Sequence, residues 1–380
     1  MNLILIAIVI MFVVAMCVFY LKRRIIYIHK PVIKNNEITC KVNFKGKYIN
    51  FKNTYHNLDL LLNDDIEGYI NLFIPHLILT GDVLITSCLV DAVYMQNLKQ
   101  VKFYYEKCLN RKFEPLNIYA RTTHKKYEPK KSISTFTGGI DSFYTLFSKE
   151  SSIDSILYCI NYDIYKNQTD LLEKQLNVIN TVAKKIGKKV IICETNNRIV
   201  LQYLKTYNCN NTGDRWGVFL HGVCLFNHAY NLSNYYSEFY FPSSLSCNNE
   251  WRLWGSDHKL DKHFSSSHLK ISTHGNVDRF QKTRYICLHQ KKQLVFDNLK
   301  VCWVNSDKRF NCSKCDKCMR TIVSIGTVDE EYLKQLKTFV IDKSFDELKN
   351  IYFASKSQNF VTKQFKDELK QYQLEFTNRK

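Results

Sequence analysis

Strand and helix signals alternate across residues 132–195 of this chain, and that alternation predicts an α/β fold built on a doubly wound parallel sheet. Two further observations give the sheet a role. A two-glycine turn joins its first strand to its first helix at residues 137–142, and four closely spaced cysteines, Cys302, Cys312, Cys315 and Cys318, predict a C-terminal four-cysteine zinc site. Ahead of this core the sequence predicts one N-terminal transmembrane helix and a small N-terminal α/β domain.

With 380 residues, 45% of them hydrophobic, and only 5 prolines, the chain can bury real cores, which excludes a disordered or fibrous protein. Its 14 cysteines are too dilute for a small disulfide scaffold. The formal charge of +19 suits nucleic acid, an anionic membrane surface or nucleotides, and does not choose among them.

The uncharged run from Leu3 to Leu21 is long enough as a helix to cross a bilayer once. Only Met1 and Asn2 precede it and Lys22, Arg23 and Arg24 close it, which fits an uncleaved anchor better than a signal peptide or a buried core helix. Because the cations follow the span, the positive-inside rule predicts a single-pass membrane topology with the rest of the chain in the cytoplasm. Reducing conditions there favour thiols and zinc over disulfides.

Residues 1–21 are thus the expected anchor and 22–36 a basic linker. Residues 37–51 alternate around a Lys-Gly turn as a hairpin, 83–87 read as a strand, 90–109 as a helix and 116–120 as a closing strand, which makes the small α/β domain 37–121. The cationic stretch 122–131, with its proline, marks a boundary. Beyond it come strand 132–136, the glycine turn and its helix, strand 155–160, helix 171–187 ended by Gly187, and strand 188–195. The main domain runs from 131 to 328, and 329–380 reads as a charged helical cap.

The turn is Thr137-Gly138-Gly139-Ile140-Asp141-Ser142. Two glycines bring successive N–H groups toward one point, and the following helix start adds unpaired donors and its positive dipole end. That geometry binds phosphate oxygens. The hydroxyls of Thr137 and Ser142 add donors, and Asp141 is placed to hold Mg2+. The spacing is not that of a Walker A loop, and the bland alternative is a turn that merely needs glycine, with Asp141 or Ser142 as an N-cap. The element resembles the PP-loop, S-G-G-x-D-S, of the ATP pyrophosphatase superfamily, with Thr137 in place of the first serine. The resemblance implies an adenine nucleotide alpha hydrolase-like fold, in which this loop holds the pyrophosphate part of ATP while a substrate attacks the α-phosphorus.

The cysteines have the spacing C-x9-C-x2-C-x2-C, and four thiolates so close can close a tetrahedral zinc site with no open position. An iron–sulfur cluster is the other metal that such a set serves. Lys308, Arg309, Lys314 and Lys317 lie between them and offset thiolate charge. A parallel ATP-binding sheet followed by four such cysteines resembles 7-cyano-7-deazaguanine synthase, over residues 131–326. The segments 255–266, 274–286 and 301–312 resemble uncharacterised PP-loop relatives of that synthase that carry a preceding small domain. The synthase family has neither the membrane span nor the 37–120 domain, so the resemblance supports the adenylating reaction better than it supports a substrate.

Arg279 and Lys282, three apart, share one helix face and are expected to grip ATP phosphates or the charge developing at the α-phosphorus; with Asp141 they are the expected catalytic residues. Asp257, His258 and Asp261 form a loop that could face a substrate, His221 and His228 read as packing residues, and Cys159 and Cys193 as small hydrophobes. The resulting expectation is a ligase that uses ATP, Mg2+ and Zn2+ to activate a small-molecule carboxylate, with pyrophosphate released and AMP displaced by nitrogen or sulfur. Thiolation of tRNA is the less favoured partner choice, and a non-catalytic nucleotide-binding module at the membrane is the alternative from another class.

Overall fold

The computed structural model describes residues 24–58, 61–126, 128, 130–203, 214–244, 251–305, 309–355 and 360–377. The apolar run 3–21 lies outside them, and among the described residues no helix is long and apolar enough to cross a membrane.

The described residues form a mixed α/β structure on one eleven-stranded sheet. Its strands are β1 (Ile25–Ile28), β2 (Val32–Lys34), β3 (Glu37–Phe44), β4 (Lys47–His56), β5 (Val83–Asp91), β6 (Asn117–Thr123), β7 (Lys131–Thr135), β8 (Ser155–Ile160), β9 (Lys189–Thr195), β10 (Tyr236–Pro242) and β11 (Lys270–His274). They lie in the order β11-β10-β7-β8-β9-β4-β3-β1-β5-β6, with β2 paired to β3. The helices are α1 (Glu67–Asn71), α2 (Ile74–Thr80), α3 (Ala92–Leu109), α4 (Ile140–Ser148), α5 (Thr169–Ile186), α6 (His221–Asn231), α7 (Arg279–Leu288), α8 (Lys292–Asn298), α9 (Asp316–Val328), α10 (Phe345–Ala354) and α11 (Phe360–Thr377).

Strands β7 to β11 are mutually parallel. Every residue of β8 is buried, as the apolar run that follows Ser155 requires of a strand covered on both faces. In β3 the apolar residues alternate with polar ones, and its buried residues fall on one face. Helix α5 ends where Gly187 turns left-handed at φ +67° and its N–H reaches the carbonyls of Ala183 and Lys184. Helix α10 starts in a capping box, Ser344 with Glu347.

Three expectations need correcting. The described part of the expected 22–36 linker, residues 24–36, is not a linker: Ile26 and Ile28 of β1 are fully buried beside strands β3 and β5. Its surrounding cations hid a short alternating strand. The small N-terminal unit 37–121 does not have a sheet of its own, because β4 pairs antiparallel with β9, from Asn53 opposite Thr195 to His56 opposite Ile192. One apolar core then runs from Ile26 through Cys193 and Phe226 to Ile271, so pairing removes the exposed edges that both halves would otherwise carry. The 122–131 segment is likewise tied down, with Lys125 on Asp65 and the Lys130 N–H on Ser237 Oγ. On the other side of β7–β9, a second core gathers Ile140, Phe143, Ile179, Phe280, Ile322 and Tyr352, and α10 and α11 of the helical C-terminal segment pack there against α9.

Candidate functional site

Counted along the chain, the parallel strands lie third, second, first, fourth, fifth from β9 to β11, so the winding reverses at β7 and β10. The crevice outside the carboxyl ends of strands at such a reversal is where open α/β sheets bind ligands. Residues 137–142 leave β7 there. Gly138 has φ +74°, and its carbonyl accepts from the N–H of Lys300 at 2.9 Å. A Cβ on Gly138 would sit in strained backbone, 3.6 Å from the Asn298 carbonyl and the Lys300 side chain. Gly139 is the N-cap of α4 and offers no side-chain acceptor, so the first-turn amides keep the free donors and positive dipole end of a helix start.

The structure brings Asp141, Arg279 and Lys282 together. One Asp141 oxygen accepts from Arg279 Nη2 at 2.8 Å and the other from Lys282 Nζ at 3.1 Å. Lys282 is 1% exposed and also donates to the carbonyl of Ser243 at 2.6 Å, so it ties the loop after β7 to the loop after β10. Burial pushes the Asp141 carboxyl up, but the charges of Arg279 and Lys282 outweigh it and hold the carboxyl below the ordinary aspartate value. Burial, aided by Arg279, draws Lys282 below the usual lysine range against the pull of Asp141.

Two residues of the turn are already engaged here. Asp141 is held by two cations, one on each carboxylate oxygen, so a divalent ion at this carboxylate would share it with both of them. Ser142 is buried and its hydroxyl donates to the Gly139 carbonyl at 2.9 Å, which commits it to the turn. Thr137 is exposed at the mouth, its carbonyl held by Gln175 Nε2 at 3.0 Å, and Ile140 is a core residue.

More cations converge on the crevice than the sequence suggested. Lys300 is buried against the turn, with Nζ on the Cys302 carbonyl at 2.7 Å and Asn305 Oδ1 at 2.8 Å. Lys317 is exposed, and lost solvation draws it below the ordinary lysine value, opposed by Asp163 and reinforced by Arg279 and Arg320. Arg320 is 4% exposed and meets Asp316 at 3.3 Å, while its Nε and Nη1 have no hydrogen-bond partner. The nearby Tyr352 hydroxyl, whose pKa burial raises, is also buried without a partner. A guanidinium buried with two free donors costs several kcal/mol unless an anion arrives, on the order of a desolvated charge. The sequence offered Lys317 only as counter-charge for thiolates and gave Arg320 no role; helix α9 carries both toward Asp141 and Arg279.

The cysteines form a compact cluster whose sulfurs all lie within 4.8 Å of one another. The Cys302–Cys315 and Cys312–Cys318 sulfur pairs are 3.9 Å apart, close to the roughly 3.8 Å edge of a tetrahedron with about 2.3 Å metal–sulfur bonds. Asn311 braces it, accepting from the N–H groups of Val301 and Cys302 and donating to the Leu299 carbonyl. Without a cation the sulfurs cannot all ionise: hydrogen bonds from Cys315 and Cys318 hold Cys302 low, and Cys315 is pushed up to about 11. The cluster can hold a metal ion, and four sulfurs leave it no open position.

Other candidates from the sequence fall elsewhere. His228 is fully buried between the hydroxyls of Tyr55 and Tyr162, both at 2.9 Å, and His221 leans on the Trp216 carbonyl at 3.3 Å. Cys159 and Cys193 are buried neighbours on β8 and β9. Asp257 and His258 pair at 3.2 Å, and Asp261 braces their loop, accepting from Ser256 Oγ and Thr273 Oγ1, both at 2.6 Å.

Burial raises Asp261 to about 7, against those hydrogen bonds. A carboxyl raised above its unfolded value stabilises the fold fully below about pH 4 and loses that contribution as pH rises through about 7. Asp261→Asn is therefore expected to flatten this limb of the stability profile and raise the melting temperature at pH 8, measured by thermal melts across pH 4–8.

No family model, curated protein or solved structure matches this chain.

Proposed function

We propose that the chain is an ATP-dependent adenylating enzyme of the PP-loop type, tethered to a membrane by residues 3–21, and that its four cysteines hold a structural Zn2+. The observation that carries the proposal is the convergence of Arg279 and Lys282 on Asp141 beside an uncapped helix start that follows two glycines. The α4 amides and the cations of α7 take the phosphate oxygens. Asp141 keeps Arg279 and Lys282 aimed and lets two like charges share a small volume. Arg320 and Lys317 add positive charge from α9, where it offsets the charge that builds on the transferring phosphorus and the departing pyrophosphate. A substrate oxygen, of a carboxylate by preference, attacks the α-phosphorus, pyrophosphate leaves, and a nitrogen or sulfur nucleophile displaces AMP. Lys300 links the zinc segment to the turn, so the metal has a mechanical part and touches no reacting atom.

The test is product identity. Full-length protein incubated with ATP, a panel of small carboxylates and ammonium or sulfide as the nucleophile is expected to release AMP and pyrophosphate in equal amounts, read by anion-exchange chromatography. ADP and phosphate would refute cleavage between the α and β phosphates, and saturable ATP binding with no turnover would make the protein a binding module.

A further inference from the structure

Helices cover both faces of β7–β9, but one face of β4-β3-β1-β5-β6 is left uncovered among the described residues: Tyr48 is 59% exposed, Tyr119 62% and Leu89 52%. Strand register makes that face orderly. Tyr48 lies opposite Asn43, Asn43 opposite Tyr27, Tyr27 opposite Ile85, and Ile85 opposite Tyr119, so one row across five strands carries three tyrosines. At about 4.8 Å per strand, successive tyrosines stand roughly 10 Å apart. Cations and neutral donors flank the row. Lys41 Nζ lies 4.0 Å from the centre of the Tyr48 ring, its neighbour in register is Asn50, and Arg121 is exposed on β6. The one carboxylate on this face of the five strands, Glu37, is neutralised by Lys52 at 2.6 Å.

We propose that this face binds single-stranded nucleic acid, with bases stacked on Tyr48, Tyr27 and Tyr119 and phosphates beside Lys41 and Arg121. Stacking on aromatic rings tolerates any base, and a sheet face studded with aromatic and basic side chains offers both the stacking platform and the electrostatic track that a flexible polyanion needs. The overall +19 charge raises the local concentration of such a partner. A second copy of the chain suits the face less well, because a two-fold axis through it would set Lys41 and Arg121 of one copy against those of the other. A bilayer suits it less well too, since Asn43, Asn50 and Thr39 would lose their water among the tyrosines. The proposal does not depend on the crevice at β7, which lies at the other half of the sheet.

The test uses full-length protein in neutral detergent and a fluorescein-labelled twelve-nucleotide oligo-uridylate, followed by anisotropy. Micromolar binding at about 50 mM salt that weakens steeply by about 200 mM is expected. Tyr48→Ala with Tyr119→Ala should weaken it by at least about tenfold, Tyr48→Phe should leave it near wild type, and Lys41→Glu should flatten the salt dependence. Both tyrosines are exposed, so the melting temperature and bound metal should not move. Failure of the wild-type protein to bind the oligonucleotide overturns the proposal, whether it then binds anionic vesicles or self-associates in sedimentation. Equal binding by the double alanine variant overturns it as well.

Discussion

Lys282→Met is expected to cut AMP formation by roughly 100-fold or more, the scale of losing one preorganised donor for developing charge. The lysine is nearly inaccessible, so its charge is screened little, and it holds two loops at once, one through Asp141 and one through the Ser243 carbonyl. Methionine fills the same space with no donor. Asp141 then keeps Arg279 as its partner, so the stability cost should be about 1–3 kcal/mol, below that of a fully orphaned buried charge. Measuring kcat and KM separately distinguishes the parts: loss mainly in kcat marks a contact made to the transition state, and loss in KM alone marks a grip on bound ATP. Arg279→Met is the companion variant, because Arg279 is more accessible and the fold should tolerate its loss better. If both variants fold and turn over ATP at the wild-type rate, the crevice is not the site of chemistry. Asp141→Asn should lose activity by another route, by leaving two cations in mutual repulsion. Because the Asp141 carboxyl titrates below its ordinary value, its contribution to stability holds above the usual aspartate range and fades only as pH falls through the depressed value.

The parts of this site that were legible in the sequence are the local ones. A strand, two glycines and a helix within a dozen residues specify an uncapped helix start, and the close cysteine spacing favours a compact four-sulfur cluster. What was hidden depends on contacts between distant residues. The pairing of β4 with β9 joins segments separated by about 140 residues in the chain, and nothing in either strand marks its partner. Strand β1 was concealed because Arg24 and Lys30 flank a buried pair only two residues apart, Ile26 and Ile28. Arg320 follows Asp316 by four residues, the spacing of an ordinary solvated ion pair on a helix, and only the packing of α10 and α11 over α9 turns it into a buried cation. The uncovered tyrosine row was invisible for the same reason, since register assembles it from five strands.

Cys315→Ser is expected to take bound zinc from one ion per chain to near none, with a fall in melting temperature of roughly 10 °C. Structural zinc contributes directly to folding free energy, and a site left with three thiolates loses most of that contribution, several kcal/mol in a chain of this size. Cys315 is both a vertex of the cluster and the N-cap residue of α9, so its loss acts on the cluster and on the start of the helix that carries Lys317 and Arg320. The damage should therefore reach the crevice. Lys300 joins the two sites, with its N–H on the Gly138 carbonyl and its Nζ on the Cys302 carbonyl, and a loosened 298–302 segment releases one wall of the glycine turn. ATP affinity should fall along with metal content, although no cysteine of the cluster is proposed to touch the nucleotide. Cys88→Ser, at a half-buried thiol remote from the cluster in sequence, is the control and should leave metal and ATP binding unchanged. Metal analysis by mass spectrometry separates the outcomes. Iron with acid-labile sulfide in the wild type would replace zinc with a cluster, and a Cys315→Ser protein that retains its full metal content would remove Cys315 from the ligand set. Loss of metal with undiminished ATP affinity would cut the mechanical link between the cysteines and the glycine turn.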